Sequence, residues 1–555
     1  MKVLLINPPL QDFFFTPSRN YPLNLIYLGT VLNYGGFKVK ILNSLEANKK
    51  ITLKIPKEFS YLKKYYHQNK SPFCLFSNYY HFGMIYQEIE DVIKDYKPDL
   101  VGISSNFSAY FDSAKEVAKI TKKIDKRIIV VLGGRFPTAV PEFVLENLNI
   151  DFLIRGEAEY SLLKLCKVIA EGKSFKIDGL CYRRNNKIFI SKKIPVIENL
   201  NTLLYPKREL IDYKKYKFKN EISTSIISSR GCNLSCKFCA IREKFRYRSA
   251  DNILEEMKYC FSLGIRHFNF EDDNINCNPE FEKLLDLLIL NFSGQIKISF
   301  MNGLMSFGLK KLLPKLLKAN LTHIDFSIVT SNKNLSYKAN RKENIKDIFY
   351  LSKQLAKHNI KSTVHFIVGL PDQTYKDALA DLKILAKNTT FLGPSIFYPV
   401  IESPYFIELK KFGISIGDYK FFRSSCAYFD KSLSKDQIFS IFYFARIINF
   451  AKELIDKFSL REETFFKFLE KITKKYRIID NKIISETPIE KTILGIILLN
   501  RLLKENKIFY LEEKRQHNNF VYTFKTEDFI DWKKLKKLIK ILKIRGFSGR
   551  LIKFC

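Results

Sequence analysis

Apolar and polar positions along the first 195 residues follow two interleaved periods. Short apolar runs at Val3–Ile6, Phe37–Leu42, Leu100–Ser104, Ile128–Leu132 and Phe152–Ile154 have the length and composition of buried strands, and stretches of helical period separate them. One helical pattern opens at Pro22 and closes at Gly35-Gly36. This order predicts an α/β domain over 1–195, a doubly wound, Rossmann-like parallel sheet of five strands with a less regular insertion over 45–82. Ligands of such sheets lie off the carboxyl ends of the strands, which here carry Asn7-Pro8-Pro9, Ser104-Ser105, Gly133-Gly134 and Gly156-Glu157. Pro and Gly also end strands for steric reasons alone, and Glu157 and Glu159 suit a helix N-terminus through its dipole.

Two strand-like runs around Asn185-Asn186 read as a hairpin over 179–191, and a Pro-containing linker over 196–220 marks a boundary. The alternation then restarts. Ser225–Ser228, Ile265–Phe270, Ile296–Phe300, His323–Ile328, Ser362–Val368 and Pro394–Tyr398 are strand candidates separated by helices. Six such units over 221–415 predict a partial (α/β)6 TIM-like barrel, with its chemistry at the strands' C-terminal ends. From 416 to 555 the pattern becomes mainly helical, ending in an amphipathic stripe of Trp532, Leu535, Leu538, Ile539 and Leu542 opposite lysines.

Composition adds one question. The chain has 555 residues, 46% apolar and 27% charged, as in ordinary globular proteins, yet its net charge is +36. A polyanionic partner would explain that charge, and so would the Lys-, Ile- and Asn-rich usage of an AT-rich genome, which spreads Lys over the surface. The second explanation makes a nucleic-acid partner unnecessary, and a membrane partner is confined to peripheral contact through the basic C-terminal helix. The N-terminal apolar run is broken by Asn7 and Pro8, and no stretch approaches the ~20 apolar residues that cross a bilayer. A cytoplasmic location is expected.

Ten cysteines do not make a disulfide scaffold, and seven of them are scattered. The other three lie in Ser229-Arg230-Gly231-Cys232-Asn233-Leu234-Ser235-Cys236-Lys237-Phe238-Cys239, just after a strand. A loop, unlike a helix, can turn three sulfurs onto one cluster. Tetrahedral zinc would want a fourth ligand, and the nearest His beyond the loop, His267, is 28 residues past Cys239. On a four-iron four-sulfur (4Fe-4S) cluster, three thiolates leave one iron open to a substrate's amino and carboxylate groups.

This C-x3-C-x-aromatic-C spacing resembles that of the radical S-adenosylmethionine (SAM) enzymes. The chain from Asn7 to about Phe422 is similar to those with an N-terminal cobalamin (B12)-binding domain, the class B methyltransferases and the anaerobic magnesium-protoporphyrin monomethyl ester cyclases. Leu132-Gly133-Gly134-Arg135 and Gly156-Glu157-Ala158-Glu159 resemble two segments of that first domain. The resemblance implies a 4Fe-4S cluster on Cys232, Cys236 and Cys239. It implies SAM contacts at Phe238, at Glu271, Asp272 and Asp273 toward the ammonium group, at Ser327, and at Val368 and Gly369 along the adenine. It implies cobalamin contacts at Asn7, Pro8, Ser104, Ser105, Gly133, Gly134, Gly156 and Glu157. Catalytic residues beyond the cluster ligands stay unassigned. The implied activity is SAM cleavage to a 5'-deoxyadenosyl radical and cobalamin-dependent methylation of a small molecule, with an electron donor such as flavodoxin or ferredoxin.

The sequence departs from that pattern in places. Ser327 stands where many relatives carry Glu, Phe136 where they often have His, and Glu402-Ser403-Pro404 where they often have Gly-Thr-Pro. No Asp-x-His-x-x-Gly signature offers cobalt a lower histidine, and residues 1–200 contain only His67 and His81. The alternatives are a cobalamin-free radical SAM oxidoreductase or cyclase, and a basic RNA-binding protein with a structural cluster. A tRNA methylthiotransferase would need three N-terminal cysteines, and residues 1–165 contain only Cys74.

Overall fold

The computed structural model describes residues 1–16, 20–172, 176–530 and 537–554. Five parallel strands, β1 (Lys2–Asn7), β2 (Lys38–Asn43), β3 (Leu100–Ser104), β4 (Ile129–Gly133) and β5 (Phe152–Ile154), form the first sheet in the order β2-β1-β3-β4-β5. Leu4, Val101, Val130 and Leu153 are fully buried, as expected of strands covered on both faces. The hairpin of Leu180–Arg184 and Lys187–Phe189 adds antiparallel to β5.

The insertion has a structural task that its irregular pattern hid. Tyr79–Phe82 pairs with Leu10–Asp12 on one side and Lys50–Leu53 on the other in a small antiparallel sheet. The segment between them reaches the C-terminal region. There Tyr61 and Tyr66 donate to the carbonyls of Cys426 (2.6 Å) and Ser425 (2.7 Å), and His67 meets the buried Glu527 at 3.3 Å.

The second sheet is a curled half-barrel. Its parallel strands are β6 (Glu221–Ile226), β7 (His267–Phe270), β8 (Lys297–Leu304), β9 (Leu321–Ser327), β10 (Ser362–Val368) and β11 (Phe391–Ile396), paired in chain order. The first begins four residues before the expected run, and the last three before it. A two-residue strand, Lys217–Phe218, covers β6 antiparallel. Side chains obey the strand period of two. Phe268, Phe270, Phe300, Phe326, Val364 and Phe366 are buried in the outer core beneath the helices, and polar residues alternate with them on the concave face. The free edge of β11 is closed by Asn449 on helix Lys435–Lys457, which donates to the Leu392 carbonyl (2.8 Å) and accepts from the Leu392 amide (2.9 Å).

The C-terminal region contains helices Lys435–Lys457, Glu462–Thr473 and Lys491–Glu505, and adds elements that helical periodicity did not announce. Lys482–Ser485, Phe509–Gln516 and Asn519–Thr526 make a three-stranded antiparallel sheet, and Lys543–Arg545 pairs with Leu551–Lys553. Of the terminal amphipathic stripe, Trp532 and Leu535 lie outside the described residues, whereas Leu538, Ile539 and Leu542 are buried in the main core. Among the described residues no helix is long and apolar enough to cross a membrane.

Candidate active site

The cysteine loop leaves the carboxyl end of β6 and is fixed at both of its ends. Ser229-Arg230 pairs antiparallel with Arg246-Tyr247. Gly231 has φ +77°, and a Cβ there would lie 2.4 Å from the Lys244 carbonyl oxygen, so only glycine fits between the two strands. The buried Asp272, after β7, accepts from the Ser228 amide (3.1 Å) and hydroxyl (2.8 Å) and from the Ser229 hydroxyl. Burial nevertheless pushes its carboxyl up to about 6. Within the loop Arg242 donates to the Cys239 carbonyl (2.8 Å), and the Lys237 amide donates to the Ala339 carbonyl (3.0 Å).

The first domain holds the same loop. Arg230, the residue before Gly231-Cys232, donates to Glu159 at 2.6 Å and lies 3.5 Å from Glu157. Arg246 donates to both oxygens of Glu157 (2.9 and 3.0 Å), and the Ile197 amide donates to Glu157 Oε2 (2.5 Å). Against its burial, these cations hold Glu157 below the usual carboxylate range. The Gly-Glu-x-Glu turn is thus a clamp on the cysteine loop, and the Glu157 carboxylate, expected at cobalamin, is engaged by arginines of the second domain.

Burial raises all three cysteine thiols, each of which also senses another cysteine of the set. The Ile241 amide donates to Cys239 Sγ (3.4 Å), and Arg341 Nη1 lies 4.0 Å from Cys236 Sγ. Among the described residues no three His, Cys, Asp or Glu side chains converge on a single ion.

The expected SAM contacts divide. Asp272 is consumed by the serines of the loop. Asp273 is exposed beside the cysteines, and Glu271 faces the barrel lumen, accepting from Ser225 (3.2 Å) and Asn269 (2.5 Å). Ser327, where relatives carry Glu, donates to the Gly303 carbonyl (2.8 Å) and accepts from Arg341 Nη2 (2.5 Å). A guanidinium therefore occupies the neighbourhood of the missing carboxylate. Gly369 has φ +89°, and a Cβ there would meet Ile438 at 3.3 Å, so the helix behind the strand is one reason for this glycine. The Gly369 amide is already taken by Gln373 (2.7 Å).

At the carboxyl ends of the first sheet, Asn7 donates to Asn43 (2.9 Å) and the Ser104 hydroxyl accepts from Asn24 (3.1 Å). Ser105 is buried with its hydroxyl unpartnered. Gly134, at φ +126°, passes so close that a Cβ would lie 2.5 Å from the Ser105 carbonyl oxygen. Phe136 packs with Phe111, Phe143 and Tyr419. His81 is bonded to the Met84 carbonyl (2.7 Å) and His67 is beside Glu527, so neither imidazole is available at these strand ends.

Two comparisons of sequence bear on this geometry. Residues 226–385 match the radical SAM superfamily and residues 77–165 the B12 binding domain. The chain carries a radical SAM domain and a B12-binding domain. It is 27% identical over 397 residues to an uncharacterized methyltransferase of Pyrococcus horikoshii, covering 70% of this chain and 78% of that protein. It is 26% identical to the cytidylyl-2-hydroxyethylphosphonate methyltransferase of Streptomyces wedmorensis over 49% of this chain, spanning only 55% of that relative. Among solved structures, the radical SAM methyltransferase TsrM from Kitasatospora setae has a TM-score of 0.57 at 16% identity, covering 74% of this chain and 76% of that one. The cobalamin-dependent SAM radical enzyme OxsB has a TM-score of 0.58 at 14% identity, covering 91% and 73%. These structures support the fold.

The residues present fit both cofactors of such a protein. Three cysteines on one braced loop suit a site-differentiated cluster, and the orphan Ser105 hydroxyl beside Gly133-Gly134 suits a ligand off β3 and β4. Sequence reading missed Arg230, Arg246 and Arg341. For Arg230 and Arg246 the available signal was residue choice: the chain has only 21 Arg among 93 basic residues, and five of them fall between 208 and 248.

Proposed function

We propose that this protein is a cobalamin-dependent radical SAM methyltransferase acting on an unactivated carbon of a small molecule. The observation that supports the reading best is the clamp, which joins the cysteine loop to the carboxyl-end turn of the B12-binding domain through Glu157, Glu159, Arg230 and Arg246. When bound, the cluster supplies the electron that cleaves SAM and cobalamin supplies a methyl carrier. The chain supplies position. Cys232, Cys236 and Cys239 hold the cluster, and the exposed Asp273 stands where a SAM ammonium group would find a carboxylate. Arg341, fixed by Ser327, offers the opposite charge to the SAM carboxylate. The Ser105 hydroxyl and the Gly133-Gly134 backbone receive the corrinoid. An electron donor such as flavodoxin or ferredoxin and a cytoplasmic location belong to the same reading.

The test is anaerobic reconstitution followed by iron analysis and mass spectrometry for 5'-deoxyadenosine and bound corrinoid. About four irons per chain, SAM cleavage abolished in Cys232→Ala, Cys236→Ala and Cys239→Ala, and retention of hydroxocobalamin are expected. A triple-Ala chain that still held iron and made 5'-deoxyadenosine would overturn the assignment. SAM cleavage without any corrinoid binding would move the protein to the cobalamin-free cyclases and oxidoreductases.

A further inference from the structure

The concave face of the half-barrel has a chemistry that the cysteine loop does not use. Its side chains bond to one another across strands, so they share one lumen. Ser299 donates to Asn269 (2.9 Å), and Asn269 in turn donates to Glu271 (2.5 Å). Further round, Asp325 on β9 accepts from His323 Nε2 at 3.0 Å and from His365 Nε2, on β10, at 3.3 Å. Against burial, these two bonds hold Asp325 below the ordinary carboxylate range. The carboxylate is 8% exposed, whereas the His323 and His365 side chains are 30% and 35% exposed, so the imidazoles open into the lumen above it.

The backbone makes room for this arrangement. A Cβ at Gly393 would lie 2.6 Å from His365 Nδ1, so any larger residue there would displace the imidazole. His365 pairs in register with Ser327, the residue that binds Arg341 beside Cys236. The Asp325–His365 pair is therefore on the rung next to Arg341 and Cys236. The chain has seven histidines, and three of them, His267, His323 and His365, lie on this face.

We propose that this lumen holds the substrate and that the substrate is a small hydroxyl-bearing molecule, a carbohydrate in chemical class, rather than an apolar ring system. The proposal rests on the reading of the protein as a SAM-cleaving enzyme. Bound to Asp325 through Nε2, each imidazole keeps its other ring nitrogen for a polar partner, and the neighbouring hydroxyls donate or accept. An apolar occupant would strand those groups away from water, whereas a polyol satisfies them. Asp325 fixes the rings and acts as a positioning residue.

The experiment uses hydrogen transfer inside the lumen as the reporter. Reconstituted protein receives SAM, dithionite and either a mixture of C-deuterated glycerol, ribose and glucose or perdeuterated toluene at equal concentration. One electron from dithionite breaks the SAM C5'–S bond and releases methionine. The 5' carbon then takes a deuterium atom from a probe C–D bond, giving labelled 5'-deoxyadenosine. The carbon radical left on the probe is quenched by a second electron from dithionite and a solvent proton. The benzylic C–D bond of toluene is weaker than those of the polyols, so intrinsic reactivity works against the proposal. Deuterium from the polyols in excess of that from toluene is expected, with the labelled fraction falling at least fivefold in His365→Leu. Equal or greater labelling from toluene, or no label from any polyol, would overturn the substrate class even if the variant fails to fold, because the unaltered chain decides it. Absence of 5'-deoxyadenosine altogether would instead overturn the radical SAM reading beneath it.

Discussion

Replacing Glu159 by Gln removes the charge from the inter-domain clamp while keeping its shape. Arg230 and Glu159 are 16% and 7% exposed and 2.6 Å apart, so solvent screens them little. Arg230 keeps Glu157 at 3.5 Å, which spares it the full penalty of an unpaired buried charge. What is lost is the charge on one hydrogen-bond acceptor, at most the about 1.5–3 kcal/mol of a charged hydrogen bond, or up to about a 10- to 150-fold change in a local opening equilibrium. Hydrogen exchange on the native apoprotein reads that opening directly and needs no two-state assumption for a multidomain chain. Peptides covering 228–240 should exchange faster by that factor. Asp178→Asn, which removes the partner of Lys193 in an exposed pair, should change its own surroundings by no more than a few-fold. The reasoning fails if Glu159→Gln leaves protection of the loop within threefold of the parent, or if its effect simply adds to that of Arg230→Lys, as it would for residues that do not interact.

Gly231→Ala places a Cβ 2.4 Å from a carbonyl oxygen in a left-handed residue, at a backbone cost of about 1–3 kcal/mol before the overlap is counted; the chain should keep its circular dichroism and lose iron uptake. Asp272 titrates near 6 in the folded chain, above the ordinary carboxylate range, so the native state favours the protonated form. The stability this contributes is complete at low pH and is lost as pH rises through about 6, to a total of about 3 kcal/mol. Loop protection, corrected for intrinsic exchange, should therefore fall between pH 4.5 and 7.5, and a flat profile would contradict the burial of this carboxyl.

The fold was legible where packing imposes one period. β1 and β3 are buried on both faces and read as plain apolar runs, and the barrel strands carry alternation strong enough to survive polar lumen residues such as His323 and Asp325 between Leu321, Ile324 and Phe326. The insertion was opaque because its order comes from distant partners, Tyr61 and Tyr66 on the carbonyls of Cys426 and Ser425. Sequence spacing carries no trace of a contact more than 350 residues away. The cysteine loop was legible because ligand chemistry fixes its spacing locally. The duties of Glu157 and Asp272 were not, since a carboxylate looks the same in sequence whether it meets a cofactor, an arginine or a serine.

Charge shows the same limit and also where the usable signal lies. The sum of +36 weighs every cation alike, and Lys makes up 72 of the 93 basic residues. Arg is the rarer choice here and has the more demanding geometry, a planar fork that binds carboxylates and carbonyls from fixed directions. Between 208 and 248 each arginine is spent on such a contact. Arg208 and Arg248 enclose the buried Glu256 behind β6, Arg230 and Arg246 grip the Glu157 turn, and Arg242 ties the loop carbonyls. A compositional drift toward Lys would have replaced these arginines wherever a point charge sufficed. Their persistence in one short stretch marks that stretch as the place where two domains must be held in register, and no total of charge contains that information.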